Sequence, residues 1–445
     1  MRISSKWFTF LFQSGTIFSM EKVVKSINRG LFGSVEVSPD KSLSHRAIMF
    51  ASLAKGVSYI RNFLKGADCY STLKVCRQLG VDIRELSSNV LEVTSTGVLQ
   101  KSSESLDCGN SGTTMRLMSG ILAGQNFEST LFGDESLSKR PMRRVINPLS
   151  QMGADIISND GKAPLVIKGK SLKGIDYISE LASAQVKSCV LLAGLFAEGK
   201  TSFVEPAKSR DHTERMLKAM GANITIDGLK VSVESSVLNP IDFTVPGDIS
   251  SAAFFIVAAL IVPDSDIIIK NVGMNPTRTG IIDIVIRMGG NIEIFNKREI
   301  LGEPIADLRV KYSILKGVEI SGADIPRLID EIPIITILAT QAEGVTVIKD
   351  AEDLRNKESD RIATMVEALR MLGADVVERV DGLTIRGKVE LQGDCALESH
   401  QDHRLAMSYY VAGLISKNPI KIKGFEWIKV SFPEFEDLME YVKKS

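Results

Sequence analysis

Apolar and polar positions recur along this chain with a long period. Six times, at intervals of roughly 70 residues, an apolar run of helical character follows a small cluster of polar and charged residues, the mark of a duplicated unit. The clusters are Lys41 to Arg46 (KSLSHR), Gly109 to Arg116 (GNSGTTMR), Ser183 to Lys187 (SAQVK), Gly247 to Ser251 (GDISS), Asp330-Glu331 and Asp402-His403-Arg404. Between them a second element recurs, apolar-Gly-small-polar-apolar, at Leu79 to Ile83, Met152 to Ile156, Met220 to Ile224, Met288 to Ile292 and Leu372 to Val376. Each predicts a helix stopped by a glycine C-cap and followed at once by a strand. Asp160-Gly161, Asp227-Gly228 and Asp381-Gly382 then predict tight hairpins, leading into β-rich runs such as Leu229 to Val233 and Leu383 to Ile385. One unit is thus strands and two helices.

Six such units are too many for one core, whereas three and three give two domains of ordinary size. The break at Val245-Pro246-Gly247 predicts one crossing between them. A strand from Gly33 to Val37 is expected to pair with the C-terminal lobe, placing a second crossing near Pro39-Asp40. The expected division is 40–246 for one lobe and 20–39 plus 247–445 for the other, with a site in the cleft and a hinge at the double crossing. Residues 1–19 hold two basic and no acidic residues and read as a disordered extension that adds nothing to the fold.

The 445 residues are 44% hydrophobic and 24% charged, ordinary for a globular protein with two cores. Lys plus Arg and Asp plus Glu both number 54, a formal net charge of +0, which argues against nucleic-acid or membrane partners; positive potential must be local. Cys69, Cys76, Cys108, Cys189 and Cys395 are odd in number with no CxxC pair, which argues against a disulfide framework or a structural zinc site and for reduced thiols in the cytoplasm. The longest apolar run, Ala252 to Val262, is about half of what a membrane-spanning helix needs and reads as a buried helix.

Helix starts carry unpaired N–H groups and partial positive charge, so the six clusters are six potential anion sites. Ser, Thr, Asp and Asn at these points are also ordinary N-caps. What capping leaves unexplained is Lys41, Arg46, Arg116 and Arg404, basic residues placed where the helix dipole disfavours them unless an anion binds. The chemistry expected is that of an enzyme for small, multiply anionic substrates.

Ten clusters in order, PDKSLSHR (Pro39 to Arg46), GNSGTTMR, SLSKRPM (Ser136 to Met142), SAQVKS, SRDHTE (Ser209 to Glu214), PGDISSAA, LIDEIP (Leu328 to Pro333), NKESDRI (Asn356 to Ile362), DHRLAMS and SFPEF (Ser431 to Phe435), resemble the 5-enolpyruvylshikimate-3-phosphate synthase family from about residue 27 onward. The resemblance implies an α/β fold, a two-domain inside-out α/β barrel (EPT/RTPC-like) of six βαβαββ repeats, three per domain. It implies transfer of the enolpyruvyl group of phosphoenolpyruvate to the 5-hydroxyl of shikimate 3-phosphate with release of phosphate. Neither metal nor organic cofactor is implied, and a monomer is expected.

The family's first motif falls on Lys41, Ser42 and Arg46, implying that Lys41 reaches phosphoenolpyruvate and stabilises charge in the tetrahedral intermediate. Ser42 and Arg46 would hold the shikimate carboxylate, for which a planar guanidinium fork is suited. Ser183, Ala184 and Gln185 match the segment that takes the phosphate of shikimate 3-phosphate, and Arg210 another basic contact. Gly112, Arg140, Gln185, Arg361 and Arg404 match phosphoenolpyruvate positions. Asp330 matches the base at the 5-hydroxyl, Glu358 the acid that protonates the methylene carbon, and Lys357 a contact to the hydroxyls, provided the two carboxyl environments drive their pKa values apart. His403, His45 and His212 read as orienting residues, and Glu331 as a spare acid.

One departure stands out. Some family members have a Lys just before the SFPEF segment; this chain has Val430 there, with Lys429 one place earlier. SHR, SAQVKS and NKESDRI resemble the bacterial branch described as less sensitive to glyphosate, whereas Gly112 keeps the small residue associated with inhibitor binding. The sister transferase acting on UDP-N-acetylglucosamine carries a functional Cys in the loop before an Arg-Pro pair; here Glu135 holds that place and no cysteine falls within Gly133 to Pro141. A non-catalytic phosphometabolite-binding protein of the same fold would be expected to lose Asp330, Glu358 or Lys41 first, and all three are present.

Overall fold

The computed structural model describes residues 20–445; the extension expected at 1–19 lies outside the described residues. Among the described residues, twelve of the fourteen α-helices, all but the short Glu135–Lys139 and Ile325–Leu328, come in pairs: α1 (Lys41–Leu53) and α2 (Ala67–Gln78), α3 (Gly112–Ala123) and α4 (Arg143–Gln151), α5 (Ala184–Gly194) and α6 (His212–Ala219). The remaining pairs are α7 (Ile249–Ile261) and α8 (Gly280–Arg287), α9 (Ile332–Thr340) and α10 (Arg361–Met371), α11 (His403–Gly413) and α12 (Phe435–Lys444). The first member of each pair is the apolar run found in the sequence. Both α7 and α9 are buried at every residue, because a helix apolar on all sides has no face to give to water. The second members are amphipathic. In α12, for example, Phe435, Met439 and Val442 are buried at helical spacing, with Phe435 against Phe254, Phe255 and Tyr410 at ring centroids of 5.8, 6.0 and 5.3 Å.

The glycines after five second helices, Gly80, Gly153, Gly221, Gly289 and Gly373, have φ of +88°, +97°, +86°, +86° and +82°. At each the following amide turns back to a carbonyl five residues earlier, Val81 to Cys76 at 3.2 Å and Ala154 to Leu149 at 2.9 Å among them. This is the Schellman ending, and a side chain would strain it. The chain then enters hairpins, with Asp160-Gly161 between Asp155–Asn159 and Lys162–Lys168, Gly228 between Ile224–Asp227 and Lys230–Val233, and Asp381 between Asp375–Arg379 and Gly382–Gly387.

The strands build sheets of one design. In the simplest, Leu106–Asp107 runs parallel to Glu128–Phe132, which pairs antiparallel with Lys162–Lys168, itself antiparallel to Asp155–Asn159. Four further sheets repeat that order, one has three strands, and Leu172–Lys173 pairs parallel with Ala197–Glu198 in a two-stranded sheet. Three are completed by strands distant in sequence: Asp242–Thr244 parallel to Lys55–Arg61, Phe32–Glu36 parallel to Asp266–Gly273, and Lys22–Val24 antiparallel to Ile420–Lys423.

Buried apolar side chains form two clusters, one drawn from Leu43 to Val245, the other from Val24 to Val37 together with Ile249 to Val442. The chain passes between them twice, side by side: Asp40 N–H donates to Pro246 O at 2.8 Å and Asp248 N–H to Ser38 O at 2.9 Å, around a Pro39–Gly247 bridge. Among the described residues no helix is long and apolar enough to cross a membrane.

Candidate active site

The helix starts differ in a way that motif position alone conceals. Asp40, Asp248 and Asp402 cap α1, α7 and α11, accepting from Leu43 N–H at 2.8 Å, Ser250 N–H at 2.9 Å and Arg404 N–H at 2.9 Å. The start of α9 follows Asp330-Glu331. Four of the six expected anion sites therefore already hold carboxylates, which satisfy the dipole themselves. Of these six starts, α3 and α5 alone have neutral caps, Ser111 accepting from Thr114 N–H at 3.1 Å and Ser183 from Val186 N–H at 3.5 Å. The expectation of six sites is corrected to two.

Around these two starts lie guanidinium groups without carboxylate partners. Arg46, buried in α1, donates to Thr213 Oγ1 at 2.8 Å, Ser188 Oγ at 2.9 Å and Ser42 O at 3.0 Å, leaving two of its five N–H groups free. Burial lowers its pKa to about 10, since no acid pairs with it directly. Arg116 on α3 donates to Gln185 Oε1 at 2.6 Å; burial, with Arg140 and Arg144 nearby, brings it too to about 10. The other end of Gln185 donates to Thr113 Oγ1 at 3.0 Å, so α3 and α5 present one joined surface. Arg140 is held by Asn110 Oδ1 at 2.7 Å and by Ser136, and forms no surface ion pair. Gly112 opens this corner: a Cβ there would lie 2.8 Å from Arg116 Nη1 and 3.5 Å from Arg140 Nη1.

Lys41 is not unpaired as its position suggested. Its ammonium contacts Asp68, and although burial works to lower it, Asp68 with Glu358 farther off holds it above its ordinary range. Asp68 in turn is held low by Lys41 against burial.

The second half of the site is a cross-linked set of cations and carboxylates. Arg361, at the first turn of α10, is buried and meets Asp402 Oδ2 at 2.7 Å, Glu358 Oε2 at 2.7 Å and Asp330 Oδ1 at 3.5 Å. Asp330 also contacts Arg210 and lies 3.8 Å from Arg404 Nη2, while Arg404 Nη1 donates to the Asp330 carbonyl at 3.0 Å. Burial pushes Asp330 up, but Arg210, Arg404, Lys357 and Arg361 pull it well below the carboxylate range. Glu358, its side chain 30% exposed, is likewise pushed up by burial and held far down by Arg361, with Arg140 and Lys41 adding to the pull. The environments of Asp330 and Glu358 therefore do not separate their pKa values. Both are depressed: Arg361 serves both, joined by Arg210, Arg404 and Lys357 at Asp330 and by Arg140 and Lys41 at Glu358. Arg404 likewise is not unpaired.

Burial brings the His403 imidazole down to about 4 and His45 to about 3, so both are neutral near pH 7. His45 bonds Thr72 at 2.6 Å and His212 bonds Glu303 at 2.8 Å. Lys429 is exposed in the turn Phe425–Val430, and the carbonyl of Val430 sits where a side chain on Gly66 would fall, 2.6 Å from its Cβ position. Lys187, part of the third cluster, is buried against Glu205 at 2.8 Å and Glu214 at 2.7 Å and faces no free anion.

Asp68, Asn110, Thr113 and Asp402 also shape the site, as does Arg116, to which the motifs assign no ligand. Asp402 and Arg116 lay inside motifs already marked. Asp68 carried no signal of its own.

Comparison with known proteins matches residues 26–439 to the family model for EPSP synthase (3-phosphoshikimate 1-carboxyvinyltransferase). A Bacillus pumilus 3-phosphoshikimate 1-carboxyvinyltransferase is 52% identical over 421 residues, covering 93% of this chain and 97% of the relative. EPSP synthase from Acinetobacter baumannii superposes with a TM-score of 0.87 at 44% identity, covering 95% of this chain and 98% of the other. The enolpyruvyl transferase NikO from Streptomyces tendae has a TM-score of 0.77 at 16% identity, a likeness of fold alone.

Proposed function

The chain belongs to the EPSP synthase family, whose activity is transfer of the enolpyruvyl group of phosphoenolpyruvate to the 5-hydroxyl of shikimate 3-phosphate, and from that premise we propose which residues carry the reaction. Shikimate 3-phosphate places its phosphate on the neutral start of α5, at Ser183, Ala184 and Gln185, with Arg210 beside it, and its carboxylate on Ser42 and the two free N–H groups of Arg46. Phosphoenolpyruvate occupies the corner of Gly112, Arg140, Gln185, Arg361, Arg404 and Lys41. Lys357 reaches the hydroxyls. The lobes 40–246 and 20–39 plus 247–445 close on both substrates about the paired crossings, the chain acting as a cytoplasmic monomer. The reading rests above all on the two neutral helix starts lying beside guanidinium groups that have no acid of their own.

Asp330 is ionised and so able to take the 5-hydroxyl proton as it leaves. Glu358 must instead be protonated to act as an acid, and in the unliganded site its cations forbid that. Phosphoenolpyruvate supplies the change: its carboxylate and phosphate draw on Arg140, Arg361 and Lys41, weakening their hold on Glu358 while burial continues to push it up. Phosphoenolpyruvate thus moves the Glu358 pKa away from that of Asp330, which the protein's own groups hold low as well. An acid loses activity as pH rises through its pKa, so the basic limb of kcat, reporting the ternary complex, is expected at higher pH than that of kcat/KM for phosphoenolpyruvate. Coincident limbs in a phosphate-release assay would remove Glu358 from this role.

Gly112→Ala follows from the same corner. The added Cβ meets only the far ends of two flexible guanidinium groups, so the fold should tolerate it, with stability changed by less than about 1 kcal/mol. The displaced Arg116 and Arg140 no longer converge. A KM for phosphoenolpyruvate raised about tenfold, roughly 1.4 kcal/mol of lost binding, with the KM for shikimate 3-phosphate little altered, is the expected result of steady-state kinetics.

A further inference from the structure

Between the two crossings and the base lies a buried polar chain that the reaction as described does not use. Arg278, in the loop before α8, is buried and spans both crossings: Nη1 donates to Asp40 Oδ2 at 3.0 Å and Nη2 to Asp248 Oδ1 at 2.9 Å. These two aspartates are the caps of α1, which carries Lys41, Ser42 and Arg46, and of α7. Asp248 Oδ2 also accepts from the Lys41 backbone N–H at 3.3 Å. The same Nη2 donates to Ser250 Oγ at 2.8 Å, and the Ser250 hydroxyl donates to Glu331 Oε1. Glu331 lies 3.9 Å from Arg404 Nη1, the nitrogen that holds the Asp330 carbonyl. Its second oxygen is buried without a partner, a costly state unless the position of this carboxyl is imposed by its neighbours.

The same loop reaches the Arg210 segment, since Asn275 Nδ2 donates to Asp211 Oδ1 at 2.7 Å and to Glu303 Oε2 at 3.0 Å. We propose that Arg278, Ser250 and Glu331 form a positioning relay that ties the geometry of the paired crossings to the placement of Arg404 and Asp330. None of the three touches substrate. When the lobes turn about the crossings, the caps Asp40 and Asp248 move relative to each other, Arg278 follows both, and Ser250 passes the displacement to Glu331 and so to Arg404. Assembly of the base then accompanies closure. The relay rests on the assignment of Arg404 and Asp330 made above.

Ser250→Ala is the gentlest break, because it removes one hydroxyl and no charge; Arg278→Lys keeps charge but cannot span both caps and Ser250. Steady-state kinetics, calorimetric binding of shikimate 3-phosphate and circular dichroism are compared for Ser250→Ala, Arg278→Lys, Glu331→Gln, the double variant Ser250→Ala/Glu331→Gln, and Arg404→Lys as a direct site control. The relay predicts kcat lowered about tenfold in each relay variant, shikimate 3-phosphate affinity within about threefold of the parent, and a double variant no worse than the worse single one. Multiplying losses in the double variant, or a Ser250→Ala protein that is folded with unaltered kcat, overturns the relay. If Arg404→Lys loses phosphoenolpyruvate affinity while the relay variants lose nothing, the site assignment stands and the relay falls. If Arg404→Lys is itself neutral, the assignment fails and the relay fails with it.

Discussion

Asp330→Ala is expected to lower kcat about 1,000-fold while leaving the protein folded, with phosphate release from phosphoenolpyruvate and shikimate 3-phosphate as the readout. Two effects are expected, one on the chemical step and one on binding. The hydroxyl loses the one ionised carboxylate placed to receive its proton, and Arg210, Arg404 and Arg361 lose an acid that they share. The second effect strengthens the positive field and should tighten shikimate 3-phosphate binding or leave it unchanged. The variant thus separates the roles: kcat falls while the Kd for shikimate 3-phosphate does not rise. Equal losses in both would mean that Asp330 only organises the arginines. Unchanged phosphate release would remove it from proton transfer.

Arg361→Met is expected to be the most destabilising single change at the site. It leaves Asp402, fully buried, and the neighbouring Glu358 and Asp330 without their common cation. Removing one partner of a buried ion pair costs about 3–5 kcal/mol, because the remaining charge stays in a medium that solvates it poorly. Urea unfolding should show a loss of stability of that order, read as a lowered midpoint with little change in slope, and residual activity should be negligible. A loss below about 1 kcal/mol would mean that Asp402 and Glu358 find other partners, and the carboxylate cluster would not depend on Arg361. Lys187, similarly buried between Glu205 and Glu214, shows a second such cluster under the start of α5.

Much of the architecture could be read directly from residue pattern. The six helix starts, the five glycine endings and the Asp-Gly turns are local signals, each written within about ten residues, and α7 is apolar over its whole length. What could not be read locally is how units are completed. Strands Lys22–Val24 and Asp242–Thr244 are three residues long and gain their meaning only from Ile420–Lys423 and Lys55–Arg61. Electrostatics was the least legible layer. The difference between an aspartate cap and a serine cap is one residue, yet it decides whether a helix start can take a substrate anion or already holds its own. Arg278 sits in NPTRTG with no local mark, and its partner Asp40 is 238 residues away in the chain. Lys41 looked free of acid because Asp68 reaches it across the gap between α1 and α2.

Asp330 and Glu358 share Arg361, and on the proposed reading that shared cation sets an order of events. Arg210, Arg361 and Arg404 are paired with acids, and Asp330 and Glu358 are both held ionised. On the proposed reading, substrate anions draw on Arg361 and Arg140, and Glu358 can then take up a proton. The neutral starts of α3 and α5 are what make that exchange possible, since they offer anions a place that no acid of the protein already holds.

A crystal structure with shikimate 3-phosphate bound tests this most directly. The prediction is a phosphate accepting from Ser183 and the first amides of α5, with the carboxylate on Arg46. A phosphate lodged instead at the start of α1, α7 or α11, beside Asp40, Asp248 or Asp402, would contradict it.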